Sequence, residues 1–281
     1  PAAGLRISLG SEGARESAHR EFVQALLQEI ATKEQSISFV TEDQPHDVLL
    51  EIHENRIAFL VTETKKPQTA VAGETVVTLA APFKQPDYDR SVLRKSILEM
   101  LGSIYKTALI KRIADLPPDD GALEGVRLEM TVCAENSQDC VDFAQRTSTQ
   151  NLRPPGLKPG DVLRLSVENT KIEFIDYTVM HVDPKFAITA MSQGRLTKSE
   201  EPQMIMAGVI TPETSGLEQA IVILVEGRRG EEISTFSFFE ERSNFLFANI
   251  QTNKMRGGGK QQNQPAERTL ISIFEWETNL N

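Results

Sequence analysis

Cysteine is scarce in this chain of 281 residues: there are two, alongside one tryptophan and three tyrosines. Two cysteines cannot build a disulfide scaffold, and they supply too few ligands for the usual four-coordinate zinc site. No apolar run approaches the ~18 residues that a membrane span needs. Basic residues are outnumbered, 30 against 40 acidic, for a net charge of −10. That sign argues against a nucleic-acid backbone as the main partner. The chain opens on Pro1, without an initiating Met or a signal-peptide pattern, and reads as a processed or truncated part of a longer polypeptide. The compartment stays open, with the reducing cytoplasm as the default.

What is present is ordinary. Hydrophobic residues make up 40% and charged residues 25%, as in average globular domains. The length suits about two domains, each with its own core. The spacing predicts a strand over 5–9 and an amphipathic helix over 14–33, capped by Ser11, with Phe22, Val23, Leu26, Leu27 and Ile30 on one face. Strands are expected over 36–40, 47–52, 56–62 and 75–80. Asp87 caps a second helix whose apolar stripe runs from Val92 to Ile113, and Pro117-Pro118 stops it. Beyond that point helical periodicity disappears. Strands are expected over 126–133, 162–168, 172–182, 186–191, 204–210, 219–226, 233–239 and 269–276, with a mobile loop near 250–267. The reading is an α+β chain: a small α/β sandwich over 1–118, then a mainly antiparallel β-sandwich over 119–281.

No active site stands out. Cys133 and Cys140 flank AENSQD. They could close a hairpin disulfide if they end two paired strands, but free thiols at strand ends are the default. Of the four histidines, His19 is expected to be solvated on the first helix, and His46 and His53 to point to opposite faces of one strand. His181 shares a strand face with Tyr177 and Val179 and reads as a half-buried, satisfied imidazole. His181 and Asp183 offer two metal ligands, the basis of an alternative reading as a metal-dependent hydrolase. No third ligand lies at a suitable spacing, and Asp183-Pro184 suits a turn. RGGGK at 256–260 lacks the GxxxxGK[ST] pattern of a phosphate loop. Acidic pairs at 119–120, 200–201 and 231–232 fall in expected turns. No catalytic residue, cofactor or metal follows from these residues.

Three segments carry a resemblance: LKPGDVLRLSVENT (157–170), YTVMHVDPKFAITAM (177–191) and ITPETSGLEQAIVILVEGRRGEEISTFSFFEE (210–241). They resemble a domain that lies C-terminal to the protease in bacterial caspase-like proteins, of the caspase–metacaspase class of cysteine peptidases. The MRGGG at 255–259 is similar to the turn that follows its phenylalanine strand. Residues 5–62 are similar in outline to the small α/β segment that joins protease and sandwich. The resemblance implies a non-catalytic accessory or regulatory region, with the catalytic His and Cys in the upstream protease domain. No position here matches those catalytic motifs. The implied partner is the protease domain or a regulatory protein; a stand-alone secreted or envelope binding module is the alternative. Gly160 and Gly216 match the family pattern and are expected to supply turn conformations, with Asp161 and Glu218 at the starts of strands.

Overall fold

A computed structural model describes residues 4–10, 17–33, 36–53, 56–62, 74–81, 90–114, 123–135, 140–143, 155–211, 216–234, 236 and 268–278. The described residues are mostly strand, with two helices and two sheets. Its described residues divide into two compact units, one up to Tyr105 and one from Lys106.

The first unit holds β1 (Leu5–Leu9), α1 (Ser17–Lys33), β2 (Ile37–Phe39), β3 (Val48–His53), β4 (Arg56–Thr62), β5 (Glu74–Ala80) and most of α2 (Arg90–Ala114). The sheet order is β2-β1-β3-β4-β5. Strand β1 runs parallel to both β2 and β3, while β3, β4 and β5 form an antiparallel meander. Parallel neighbours need a crossover, and α1 supplies it between β1 and β2. Val23, Leu26, Leu27 and Ile30 are all buried, at the spacing that puts them on one helix face. In β3, Val48, Leu50 and Ile52 are buried and alternate with half-buried neighbours. His46 lies before β3 and its Nδ1 contacts the Gln44 carbonyl, so it does not share a strand with His53. His19 is half-buried rather than solvated. Ser11, Asp87 and Pro117–Asp120 lie outside the described residues.

The described strands of the second unit form one seven-stranded sheet. It contains β6 (Val126–Cys133), β7 (Cys140–Asp142), β8 (Gly156–Leu157), β9 (Val162–Val182), β10 (Ile188–Val209), β11 (Gly216–Glu226) and β12 (Thr269–Thr278). The order is β7-β6-β9-β11-β12-β8, with β10 on β9. All pairs are antiparallel except β12 with β8. Strand β9 pairs β6 along its first half and β11 along its second, while β10 follows it throughout. The halves meet at a corner, where the β9–β10 register jumps between Phe174↔Thr197 and Asn169↔Ser199. Fully buried Asn169 holds that corner. Its Oδ1 accepts the Ile172 N–H at 3.0 Å and its Nδ2 donates to the Ile172 carbonyl at 2.7 Å. Leu163, Leu165 and Val167 from one half share a single core with Ile175, Val179, Val222, Leu224 and Trp276 from the other.

This arrangement corrects several sequence expectations. Residues 162–182 form one strand rather than two, and so do 188–209. Ile233, Ser234 and Phe236 are not in a strand; the rest of 233–239 lies outside the described residues, as does 250–267.

The face of β9 and β11 opposite this core is also buried. Met180, Val182, Ile221, Ile223 and Val225 are at most 3% exposed, which explains the unbroken apolar run AIVILV where a one-sided strand would alternate. On this face Asp176, 1% exposed, stands opposite Arg195. Arg195 donates to both carboxylate oxygens, Nε to Oδ1 at 2.6 Å and Nη2 to Oδ2 at 2.9 Å. The same guanidinium donates to the carbonyls of Arg228, Glu231 and Glu232. The Ser234 N–H donates to Asp176 at 2.8 Å, and the Phe236 N–H reaches Thr178. Residues 228–234 and Phe236 are thereby fastened over the sheet. At the end of β11, Arg268 forks onto Glu226 and holds its carboxyl below the usual range.

Breaking one partner of a buried, hydrogen-bonded ion pair leaves a charge with no counterpart. Asp176→Ala is therefore expected to lower the unfolding free energy by roughly 3 kcal/mol or more, measured by urea denaturation. A loss below about 0.5 kcal/mol, the size of an ordinary surface change, would contradict this role.

Candidate functional site

His181, near the end of β9, has a buried carboxylate partner. Alternation puts His181 on the core face with Val179 and Tyr177. Strand pairing then brings three distant residues to it. His181 stands opposite Ala220 of β11, so Glu218, two residues back, falls on the same face. Glu218 stands opposite Trp276 of β12, and Gly216 opposite Thr278.

Glu218 is buried, with its side chain 6% exposed, while the His181 side chain is 25% exposed. Glu218 Oε2 lies 2.7 Å from His181 Nε2. The Thr278 hydroxyl donates to the other oxygen, Oε1. The imidazole stacks on Trp276, with ring centroids 5.9 Å apart and planes 17° apart. Trp276 is 2% exposed, and its indole N–H has no hydrogen-bond partner among the described residues. A carboxylate held this way fixes the orientation of an imidazole, which is the positioning half of acid–base chemistry. It equally satisfies a buried carboxylate inside an apolar core.

Asp183 does not join this cluster. Its Oδ1 accepts the N–H groups of Lys185 and Ala187, both at 2.8 Å, and its carbonyl accepts the Phe186 N–H. It thus closes the β9–β10 turn, where Phe186 takes a φ of 62°. Among the described residues no group of three or more His, Cys, Asp or Glu side chains could hold a metal ion.

Of the two matched glycines, Gly160 sits in a turn with a φ of 94°, whereas Gly216 has a φ of 125° but is the first residue of strand β11, paired with Thr278. Lys158-Pro159-Gly160-Asp161 closes with an Asp161 N–H to Lys158 carbonyl bond, as a type II turn with proline then glycine does. A Cβ on Gly216 would stand 3.1 Å from Pro184, so Gly216 packs against the β9–β10 turn.

Cys133 and Cys140 correct the free-thiol expectation. They are register partners on β6 and β7 and form a disulfide. A direct cross-strand pair puts the two Cβ atoms within bonding reach, so the seven-residue separation follows from the hairpin. Sequence reasoning reached His181 but missed its partner Glu218, its ring neighbour Trp276, and Thr278, which holds the other carboxylate oxygen. The chain's single tryptophan on a terminal strand was the one available signal.

Replacing Glu218 by Ala removes the acceptor for both His181 and buried Thr278. The expected loss is roughly 1–3 kcal/mol of stability, while Glu218→Gln keeps an acceptor oxygen and costs less. Equal losses from the two variants in chemical denaturation would count against this account. No family model matches the chain, and no curated protein matches it.

Proposed function

We propose that this chain is a non-catalytic accessory region that binds a protein partner, the protease domain of a bacterial caspase-like protein or a regulator of it. In this reading the first unit is an α/β sandwich and the second a β-sandwich whose two halves share one core. The observation that carries it is β10. This strand of 22 residues has β9 as its one neighbour among the described residues, so its outer edge offers backbone donors and acceptors to an added strand. The conspicuous buried ionisable groups serve the fold: Asp176 with Arg195 fastens a loop, and Glu218 anchors His181 and Thr278. A titration of the full chain with a caspase-like protease domain from the same organism tests the reading. Association at micromolar concentration is expected, and none at that concentration overturns it.

The Cys133–Cys140 disulfide favours a second reading, a secreted or envelope binding module, because such bonds persist in oxidising compartments. Thiol titration of denatured protein from its native source distinguishes the two. No reactive thiol supports the second reading; two per chain place the protein in a reducing compartment.

A further inference from the structure

The outer edge of β10 is not uniform. Over 195–202 it carries the devices that discourage strand addition. Lys198, Glu200 and Glu201 are exposed, Pro202 removes a donor, and the register shifts between Thr197 and Ser199 and again between Ser199 and Gln203. From Gln203 to Val209 the sequence is QMIMAGV, with no charge and no proline. After one shift between Met204 and Met206, the ladder runs unbroken from Met206↔Leu165 to Val209↔Val162. Met204 is 65% exposed and Val209 60%. A Cβ on Gly208 would meet nothing within 4 Å.

The backbone has a direction here as well. Ile210 donates its N–H to the Asp161 carbonyl, and its own carbonyl accepts the Gly160 N–H. Antiparallel alternation then turns the backbone groups of Val209 and Ala207 away from β9. A short, uncharged, β-forming edge next to a guarded one is a pairing template.

We propose that Gln203–Val209 takes an added antiparallel strand from a protein partner. The segment it fits is extended and apolar, and ends in lysine or arginine. Antiparallel addition sets the C-terminal end of that segment beside Glu200 and Glu201, which supplies the charge preference. A second copy of this chain fits less well. Self-pairing centred on Met206 would set Glu201 against Thr211, with no cation, and so few paired residues bury less than a stable dimer needs. This assignment rests on the partner-binding reading above and narrows it to one strand edge.

The test uses the full chain and a fluorescein-labelled peptide of alternating valine and threonine ending in Lys-Lys, with a Glu-Glu-ending peptide as its control. The expected results are saturable binding by anisotropy, weakening of about tenfold or more for the control, and new amide protection confined to 203–209. The double variant Met204→Lys with Ala207→Lys changes exposed positions only. It is expected to weaken binding by about tenfold or more with an unchanged circular dichroism spectrum. Protection on another edge, equal binding by the double variant, or self-association in place of peptide binding overturns the proposal. The two readings fail separately. If the double variant still binds the protease domain as tightly as the parent, the edge assignment fails and the accessory reading stands. If the peptide binds and the protease domain does not, the accessory reading fails and the edge stands.

Discussion

The second unit depends on a single buried ion pair. Asp176 and Arg195 face each other on β9 and β10 with almost no access to solvent on the carboxylate side. Taking both charges out of water is costly, and their mutual attraction offsets that only with good geometry and full hydrogen bonding. The structure meets both conditions. The guanidinium forks onto the carboxylate and spends its remaining donors on three carbonyls of the 228–232 segment. The carboxylate in turn accepts a backbone N–H from Ser234. The pair therefore ties two strands and a crossing segment together. The apolar face that holds Ile221, Ile223 and Val225 lies on the same side of the sheet. Gly227 belongs to this arrangement, because a Cβ there would stand 3.0 Å from Asp176 Oδ1.

The histidine cluster obeys the same rule on the other face. Glu218 is buried in an apolar core and finds two partners, one imidazole and one hydroxyl. Both polar clusters fix cross-strand register, since each joins residues that a one-residue slip would send to opposite faces. Chemistry and architecture here draw on the same residues. In the proposed reading the surface offered to a partner is the strand edge of β10, whose backbone groups need no special side chains.

Much of the first unit was legible because its elements are local. The α1 stripe of Val23, Leu26, Leu27 and Ile30 has helical period, and β3 alternates cleanly. The β9–β10 ribbon was not legible at full length. Asn169-Thr170-Lys171 and Ser192–Glu201 are polar and resemble loops, yet pairing across the corner keeps them in strands. β7 and β8 are too short to show any period. The face of His181 followed from alternation, but its partner Glu218 is 37 residues away, and Thr278 is a further 60. No local signal spans such distances. The disulfide was open for the same reason: it follows from the β6–β7 register, which the spacing of two cysteines does not specify.

The central claim is that β10 offers an open edge between Gln203 and Val209. Amide hydrogen exchange on the free chain, read residue by residue, tests it most directly. The account predicts an alternating pattern: fast exchange at Ala207 and Val209, whose N–H groups alternation turns away from β9, and slow exchange at Ile210, whose N–H donates to the Asp161 carbonyl, and at Gly208, which alternation turns toward β9. Uniformly slow exchange from Gln203 to Ile210 would contradict the account, because it would mean that another part of the chain already covers that edge.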